Sequence, residues 1–412
     1  MIGTLAASVF LVSLALVRDQ RQSVVLVTAF TFRVVVSVAS VAGVTLPDSQ
    51  FDARTFEVVA WIWARDGRFF DNFTTGSYLY SWLMSGVYLV FGRDPFLLHV
   101  INSYFGTLAI YYVMRSARQL LPNSRVDRTV GWALAFYPSI VLYSVLTMRE
   151  APMVLALSIS IHLLLRWVNT RRVASGLGAV LFVVVAQLFH AGMIGATVAI
   201  LMTYVLVSMQ SNTVRDNLRP LALFLFIATA VSVLPFSLRT GVGLEKIWRL
   251  LSDFNIEVIA SWQAYSARGR GAYLSDITMD AWSDLIWNLP LRILFFLGSP
   301  FIWMVSEFRD ILGLLDALVI LYITLRITGD MKKRRYRKIA GYLSVALIVA
   351  SVIVVFSLAT SNYGTAFRHR AKVLPWLLLL YLCGRAIRLT ARRSTRRPRI
   401  RRSESASVPM RN

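Results

Sequence analysis

Runs of apolar residues long enough to cross a bilayer recur along almost the whole chain. A helix needs about 20 such residues to span the hydrocarbon, with a lower limit of about 17. Spans are expected near 2–17, 23–46, 96–114, 129–147, 152–168, 174–190, 192–208, 220–236, 311–327, 339–358 and 372–390, about eleven crossings in all. The expected fold is therefore all-α, a polytopic transmembrane helical bundle. Composition agrees: 57% of the 412 residues are apolar and 16% charged, where a soluble chain has about 45–50% and about 25%. The single cysteine, Cys383, excludes a disulfide scaffold and a cysteine-built zinc site.

The net charge of +23 would suit a nucleic-acid binder if it were spread over a folded face. Instead it collects on one side of the expected membrane. Lys and Arg dominate segments 18–22, 115–128, 166–172, 209–219 and 330–338 and the tail, whereas the intervening segments are nearly balanced. By the positive-inside rule the C-terminus is cytoplasmic and the N-terminus outside, as expected in a bacterial inner (plasma) membrane. Residues 1–390 read as one membrane domain and 391–412 as a basic cytoplasmic tail expected to be disordered. Arg392, Arg393, Arg396, Arg397, Arg399, Arg401 and Arg402 in that tail suit anionic lipid headgroups. They lack the aromatic interleaving or reader module of a nucleic-acid site.

Two outer segments are more than simple loops. Residues 47–95 hold an amphipathic stretch, 52–66, and an apolar one, Tyr78 to Phe91; residues 237–310 hold a polar part and then Ile286 to Val305. Full crossings there would invert the later basic loops, so both are expected to be interfacial or re-entrant. Tyr78, Tyr80, Trp82 and Tyr88 read first as an aromatic belt.

Unusual polar residues gather at this outer depth: Asp48 and Asp52, Arg149 and Glu150, His190, and Arg368, His369 and Arg370 in the turn before the last span. Ionisable groups at one depth inside a bundle mark a functional site by default. Carboxylates can take a proton from a hydroxyl or hold a metal ion. Guanidinium groups hold phosphate oxygens and stabilise a leaving phosphate. Structural readings stand beside these: Asp52 as the first-turn acid of the 52–66 helix, Arg149–Glu150 as a local pair, His190 as a satisfied polar group between helices. Arg33, near mid-span, is expected to pair with a carboxylate such as Asp316.

The order of these features resembles the GT-C superfamily of membrane glycosyltransferases. Pro47-Asp48-Ser49-Gln50-Phe51-Asp52-Ala53-Arg54 and the helix after it look like that family's first outer loop. Tyr78-Leu79-Tyr80, Leu89-Val90-Phe91-Gly92 and Ile101-Asn102-Ser103-Tyr104-Phe105-Gly106 are similar to the stretch that follows, and Tyr137-Pro138-Ser139 with Arg149-Glu150 to the fourth helix and second acidic position. Asn362-Tyr363-Gly364-Thr365-Ala366-Phe367-Arg368-His369-Arg370 resembles the arginine-bearing outer loop of bacterial members. The resemblance implies an inverting transferase that takes a sugar from a polyprenyl-phosphate donor to a glycan or lipid acceptor in envelope glycan assembly. It gives the essential acid to Asp52, with Asp48 second, and the second-loop acid to Glu150. Arg149, His190, Tyr363, Arg368, His369 and Arg370 would surround the substrate phosphate. The chain has no Asp-x-Asp pair, which leaves open whether a divalent ion, Mg or Mn, is used; Asp52 and Glu150 would hold one. A polymerase of lipid-diphosphate-linked repeat units and a lipid-linked glycan flippase are the alternatives. A flippase should carry charge through the membrane depth, and here intramembrane charge is sparse.

Overall fold

The computed structural model describes residues 1–122, 124–209, 256–277, 281–333, 336, 339 and 341–396. Fifteen α-helices make up almost all of these residues, with no strand beyond an isolated bridge between Ala272 and Asn362. In chain order they are α1 (Ile2–Ala15), α2 (Gln20–Val41), α3 (Asp52–Arg65), α4 (Leu79–Phe91), α5 (Pro95–Leu120), α6 (Val126–Phe136), α7 (Pro138–Val145) and α8 (Glu150–Thr170). Then follow α9 (Val173–Phe189), α10 (Ile194–Ser208), α11 (Ile256–Ser266), α12 (Trp282–Gly298), α13 (Phe308–Lys332), α14 (Tyr342–Ala359) and α15 (Tyr363–Arg396). Among the described residues seven helices are long and apolar enough to cross a membrane, and α1 and α9 are shorter apolar helices. The chain is a polytopic all-α membrane protein. The expected span at 220–236 and the tail beyond Arg396 lie outside the described residues.

Two expected boundaries are corrected. The span at 129–147 is two helices, α6 and α7, that part at Tyr137. Pro138 has no N–H to continue the ladder, and its ring forces the break. The arginine-bearing segment before the last span is no turn, because α15 begins at Tyr363 and carries Arg368, His369 and Arg370 on its first turns. Its start is stitched to the segment before α12: Tyr273 N–H donates to Ser361 O at 2.9 Å, and Tyr363 N–H to Gly271 O at 2.8 Å.

The same proline explains a buried arginine. Arg33 is fully buried on α2, and among the described residues it pairs with no carboxylate. Its guanidinium donates to Ala135 O at 3.0 Å, Leu134 O at 3.2 Å, Ala29 O at 3.0 Å and Ser144 Oγ at 2.8 Å. Pro138 leaves the last carbonyls of α6 without helical donors, and the negative end of that helix supplies the countercharge. The expected partner Asp316 pairs instead with Arg370. Arg33 needs α5 close by, and Gly106 allows it. A Cβ there would run into Ser144 Cβ and lie 2.9 Å from its Oγ. Small residues at such crossings let helix backbones approach closely.

Candidate functional site

Four separate parts of the sequence meet at one end of the bundle. The first is α3, which opens on Asp52. Its back is fixed to α4 by Tyr88 Oη donating to Glu57 Oε1 at 2.9 Å and by the Arg93–Glu57 pair at 3.0 Å. Ser81 Oγ adds a bond to Phe56 O at 2.9 Å. The second is the short link 146–149 before α8. Asn102 on α5 holds it with its side-chain amide on Leu146 O and Met148 O, and Thr147 Oγ1 donates to Ala53 O at 2.8 Å. Glu150 is therefore presented as the first residue of α8, where the helix dipole favours an acid.

The third part is α15. Arg368 reaches from it to both acids, with Nε on Glu150 Oε1 at 2.6 Å and Nη1 on Asp52 Oδ2 at 2.5 Å. Lys372, one helical turn later on the same face, lies 3.8 Å from Glu150 Oε1 and 2.7 Å from His369 Nδ1. The fourth part is the α9–α10 turn. Its His190 ring sits 5.2 Å from the His369 ring, edge to face. His190 Nδ1 accepts from Gly192 N–H at 3.1 Å, which leaves the proton of a neutral ring on Nε2. Burial holds this imidazole well below its ordinary pKa, helped by the cations of Lys372 and Arg149.

Arg149 does not pair with its neighbour Glu150. Its Nη1 donates to Ser77 Oγ at 2.7 Å and to Phe189 O, the last carbonyl of α9, at 2.9 Å. Burial lowers its pKa to about 10, so it stays charged at neutral pH. Asp48 occupies a left-handed backbone position, φ 61°, and its Oδ2 accepts from Tyr143 Oη at 2.8 Å. Burial raises its pKa, against the lowering effect of that bond and of Arg368.

Exposure separates the acids. The Asp52 side chain is 58% exposed and that of Glu150 only 2%. Polar atoms in this cluster also remain open: Arg368 Nη2, Arg149 Nε and Glu150 Oε2 are buried without a hydrogen-bond partner among the described residues. Buried polar atoms of a folded protein are normally satisfied, so three open ones converging among charged groups ask for a partner that the protein itself does not supply. Beside them lies a narrow apolar cleft between α5, α6, α7, α8 and α15, with Glu150 and Lys372 in its wall.

The structure brings Asp48, Asp52, Arg149, Glu150, His190, Arg368 and His369 together. It does not bring Arg370 to them. That side chain is fully buried on the other side of α15, 3.1 Å from Asp316 Oδ2, with donors on Phe296 O and Leu297 O at the end of α12. Tyr363 also turns elsewhere, its hydroxyl 3.3 Å from Asp310 Oδ1 beside Arg270. Lys372 is the member that sequence reading passed over. The signal was the i, i+4 spacing from Arg368, which has meaning only once that segment is helical.

As a metal site the cluster fits poorly. No three His, Cys, Asp or Glu side chains group for a metal ion among the described residues, and a guanidinium already occupies the place between Asp52 and Glu150.

Residues 76–236 match the family model described as dolichyl-phosphate-mannose-protein mannosyltransferase. This bears out the resemblance to the GT-C membrane glycosyltransferases over a segment that holds Ser77, Asn102, Arg149, Glu150 and His190. Among solved structures, the crystal structure of ArnT from Cupriavidus metallidurans bound to undecaprenyl phosphate is similar at 15% identity, covering 82% of this chain and 73% of that chain with a TM-score of 0.34. No curated protein matches the chain.

Proposed function

We propose that the chain is a glycosyltransferase that moves a sugar from a polyprenyl-phosphate donor to a glycan or lipid acceptor at the outer face of the bacterial plasma membrane. The observation that carries this reading is the convergence of one exposed acid, one buried acid and two guanidinium groups with unpartnered donor atoms. The match of residues 76–236 to the mannosyltransferase family model supports the donor class.

Asp52 takes the proton of the acceptor hydroxyl. The acceptor oxygen attacks the anomeric carbon of the donor sugar from the face opposite the phosphate. The bond from that carbon to the phosphate oxygen breaks, and the lipid phosphate leaves with the electron pair. Attack from the opposite face inverts the anomeric centre. Arg368 Nη2 and Arg149 Nε can donate to phosphate oxygens without giving up the bond between Arg368 and Glu150. Such preorganised donors, aimed where charge develops, supply the largest part of catalysis. Buried Glu150 positions Arg368 rather than meeting the acceptor. The apolar cleft beside Glu150 and Lys372 offers a greasy surface next to the phosphate-binding donors, the side from which a lipid chain would approach. No step is assigned to a metal ion.

Polymerisation of diphosphate-linked repeat units asks for more cation at the phosphates. The burial of Arg370 against Asp316 takes one guanidinium away from that alternative. Mass spectrometry of lipid-linked glycans in cells lacking the protein tests the reading. A glycan missing one sugar supports single-sugar transfer, and accumulated single repeat units support polymerisation. An unchanged glycan profile refutes both.

A further inference from the structure

A second pocket opens at the other end of the bundle, between the α1–α2 turn and the last turns of α5. It measures about 690 Å³ out to solvent and is bordered by Arg18, Asp19, Gln22, Tyr111, Arg115 and Arg118. Helix α2 starts here and runs 22 residues toward Asp48 and Asp52, a rise of about 33 Å. The pocket is therefore about one hydrocarbon thickness from the acid–arginine cluster.

Its charges are unequally matched. Arg118 is bound by both Asp19 and Asp127, the latter at 2.7 Å. Asp19 is further occupied as the N-cap of α2, accepting from Arg21 N–H at 3.0 Å and Gln22 N–H at 3.3 Å. Both carboxylates are thus engaged. Arg18 and Arg115 line the same pocket and make no ion pair among the described residues, and Arg115 lies over the Tyr111 ring at 6.0 Å. Gln22 is 1% exposed, and its Nε2 has no hydrogen-bond partner among the described residues. The buried amide donor lacks an acceptor, and the two solvent-exposed guanidinium groups beside it, without carboxylate partners among the described residues, favour an acceptor that brings negative charge.

We propose that this pocket binds a phosphate-bearing anion, with Gln22 Nε2, Arg18 and Arg115 donating to its oxygens. Phosphate offers acceptors in several directions at once, which suits two guanidinium forks and an amide carried on different elements. The phosphodiester of an anionic phospholipid would reach this depth from the surrounding leaflet, and free phosphate would reach it from solvent. The pocket shares no residue with the Asp52 cluster, so the anion binds here whether or not the chain transfers a sugar.

The test uses the purified full chain in neutral detergent. Native mass spectrometry measures retention of phosphatidylglycerol against phosphatidylcholine, and thermal unfolding measures the response to inorganic phosphate. The variants are Arg18→Gln with Arg115→Gln, Gln22→Leu, and Arg172→Gln as an exposed arginine outside the pocket, all compared in monodisperse fractions. Gln22→Leu removes an unpartnered buried donor, so it should fold at least as well as the parent chain.

Preferential phosphatidylglycerol retention, reduced on the order of tenfold by both pocket variants and unchanged by Arg172→Gln, is the expected result and names the lipid headgroup. A phosphate-induced stabilisation lost in both pocket variants, without lipid preference, keeps the pocket and names free phosphate. An effect of the arginine pair without one of Gln22→Leu means diffuse charge attraction and overturns the proposal. So does any other pattern, including no binding in the parent chain.

Discussion

Removing the Arg368 guanidinium should unfold the bundle more readily, and removing Glu150 as well should add little. The pair is nearly dry, with side chains 11% and 2% exposed and Nε 2.6 Å from Oε1. At an effective dielectric constant of about 20, unit charges at that distance attract by about 6 kcal/mol. Desolvation of the two ions offsets most of this, but a charge left alone has no such offset and costs about 3–5 kcal/mol. Glu150 would retain Lys372 at 3.8 Å, so Arg368→Gln should fall near the lower end, about 3 kcal/mol. Glu150→Gln should cost a similar amount, because Arg368 keeps only the exposed Asp52. The double variant should also cost about 3 kcal/mol rather than about 6, a coupling of roughly 3 kcal/mol. Unfolding by SDS in mixed micelles, followed by far-UV circular dichroism, gives the four corners of the cycle. Additivity within about 0.5 kcal/mol would refute the claim that Glu150 holds Arg368.

Three further outcomes are expected. Gly106→Ala should lower stability by about 1–3 kcal/mol, read in the same micelle unfolding, because its Cβ enters the space of Ser144, which holds Arg33. Asp316→Asn should destabilise the fold by breaking its buried pair with Arg370 yet leave turnover per folded molecule near the parent value, checked by normalising glycan output to the monodisperse fraction. His190 has a folded pKa depressed by burial and by the nearby cations of Lys372, Arg149 and Arg368. Its contribution to stability is present above about pH 6.5, the unfolded value, and is lost as pH falls below it, since only the unfolded chain then takes the proton. His190→Gln should flatten the acid limb of stability against pH by up to about 1.4 kcal/mol per pH unit; an identical limb in parent and variant would contradict this.

Most of the apolar helices were legible because hydropathy registers directly what lipid demands of a helix, and nine of the expected spans each coincide with one described helix. The meeting of Asp52, Glu150 and Arg368 was legible for a related reason: they are charges that a bundle interior holds only when they meet partners. Which arginine faces which way was not. Arg368 and Arg370 are two residues apart, so on a helix they point to nearly opposite sides, and reading the segment as a turn hid this. The partner of Arg33 was hidden too, because the carbonyls freed by Pro138 belong to the backbone and leave no trace in residue type. Asn102 stood within a family-like stretch, but its grip on Leu146 and Met148 joins positions 44 and 46 residues apart, which no local pattern reports.

The role of Asp52 is tested most directly by returning Asp52→Asn to cells that lack the protein and measuring lipid-linked glycans by mass spectrometry, with membrane levels checked alongside. Asp52 is the exposed acid at the start of α3, where loss of its charge should alter stability by less than about 1 kcal/mol. The expected result is normal protein level with no restoration of the missing sugar. Full restoration by Asp52→Asn would contradict the assignment of the acceptor's base to this residue.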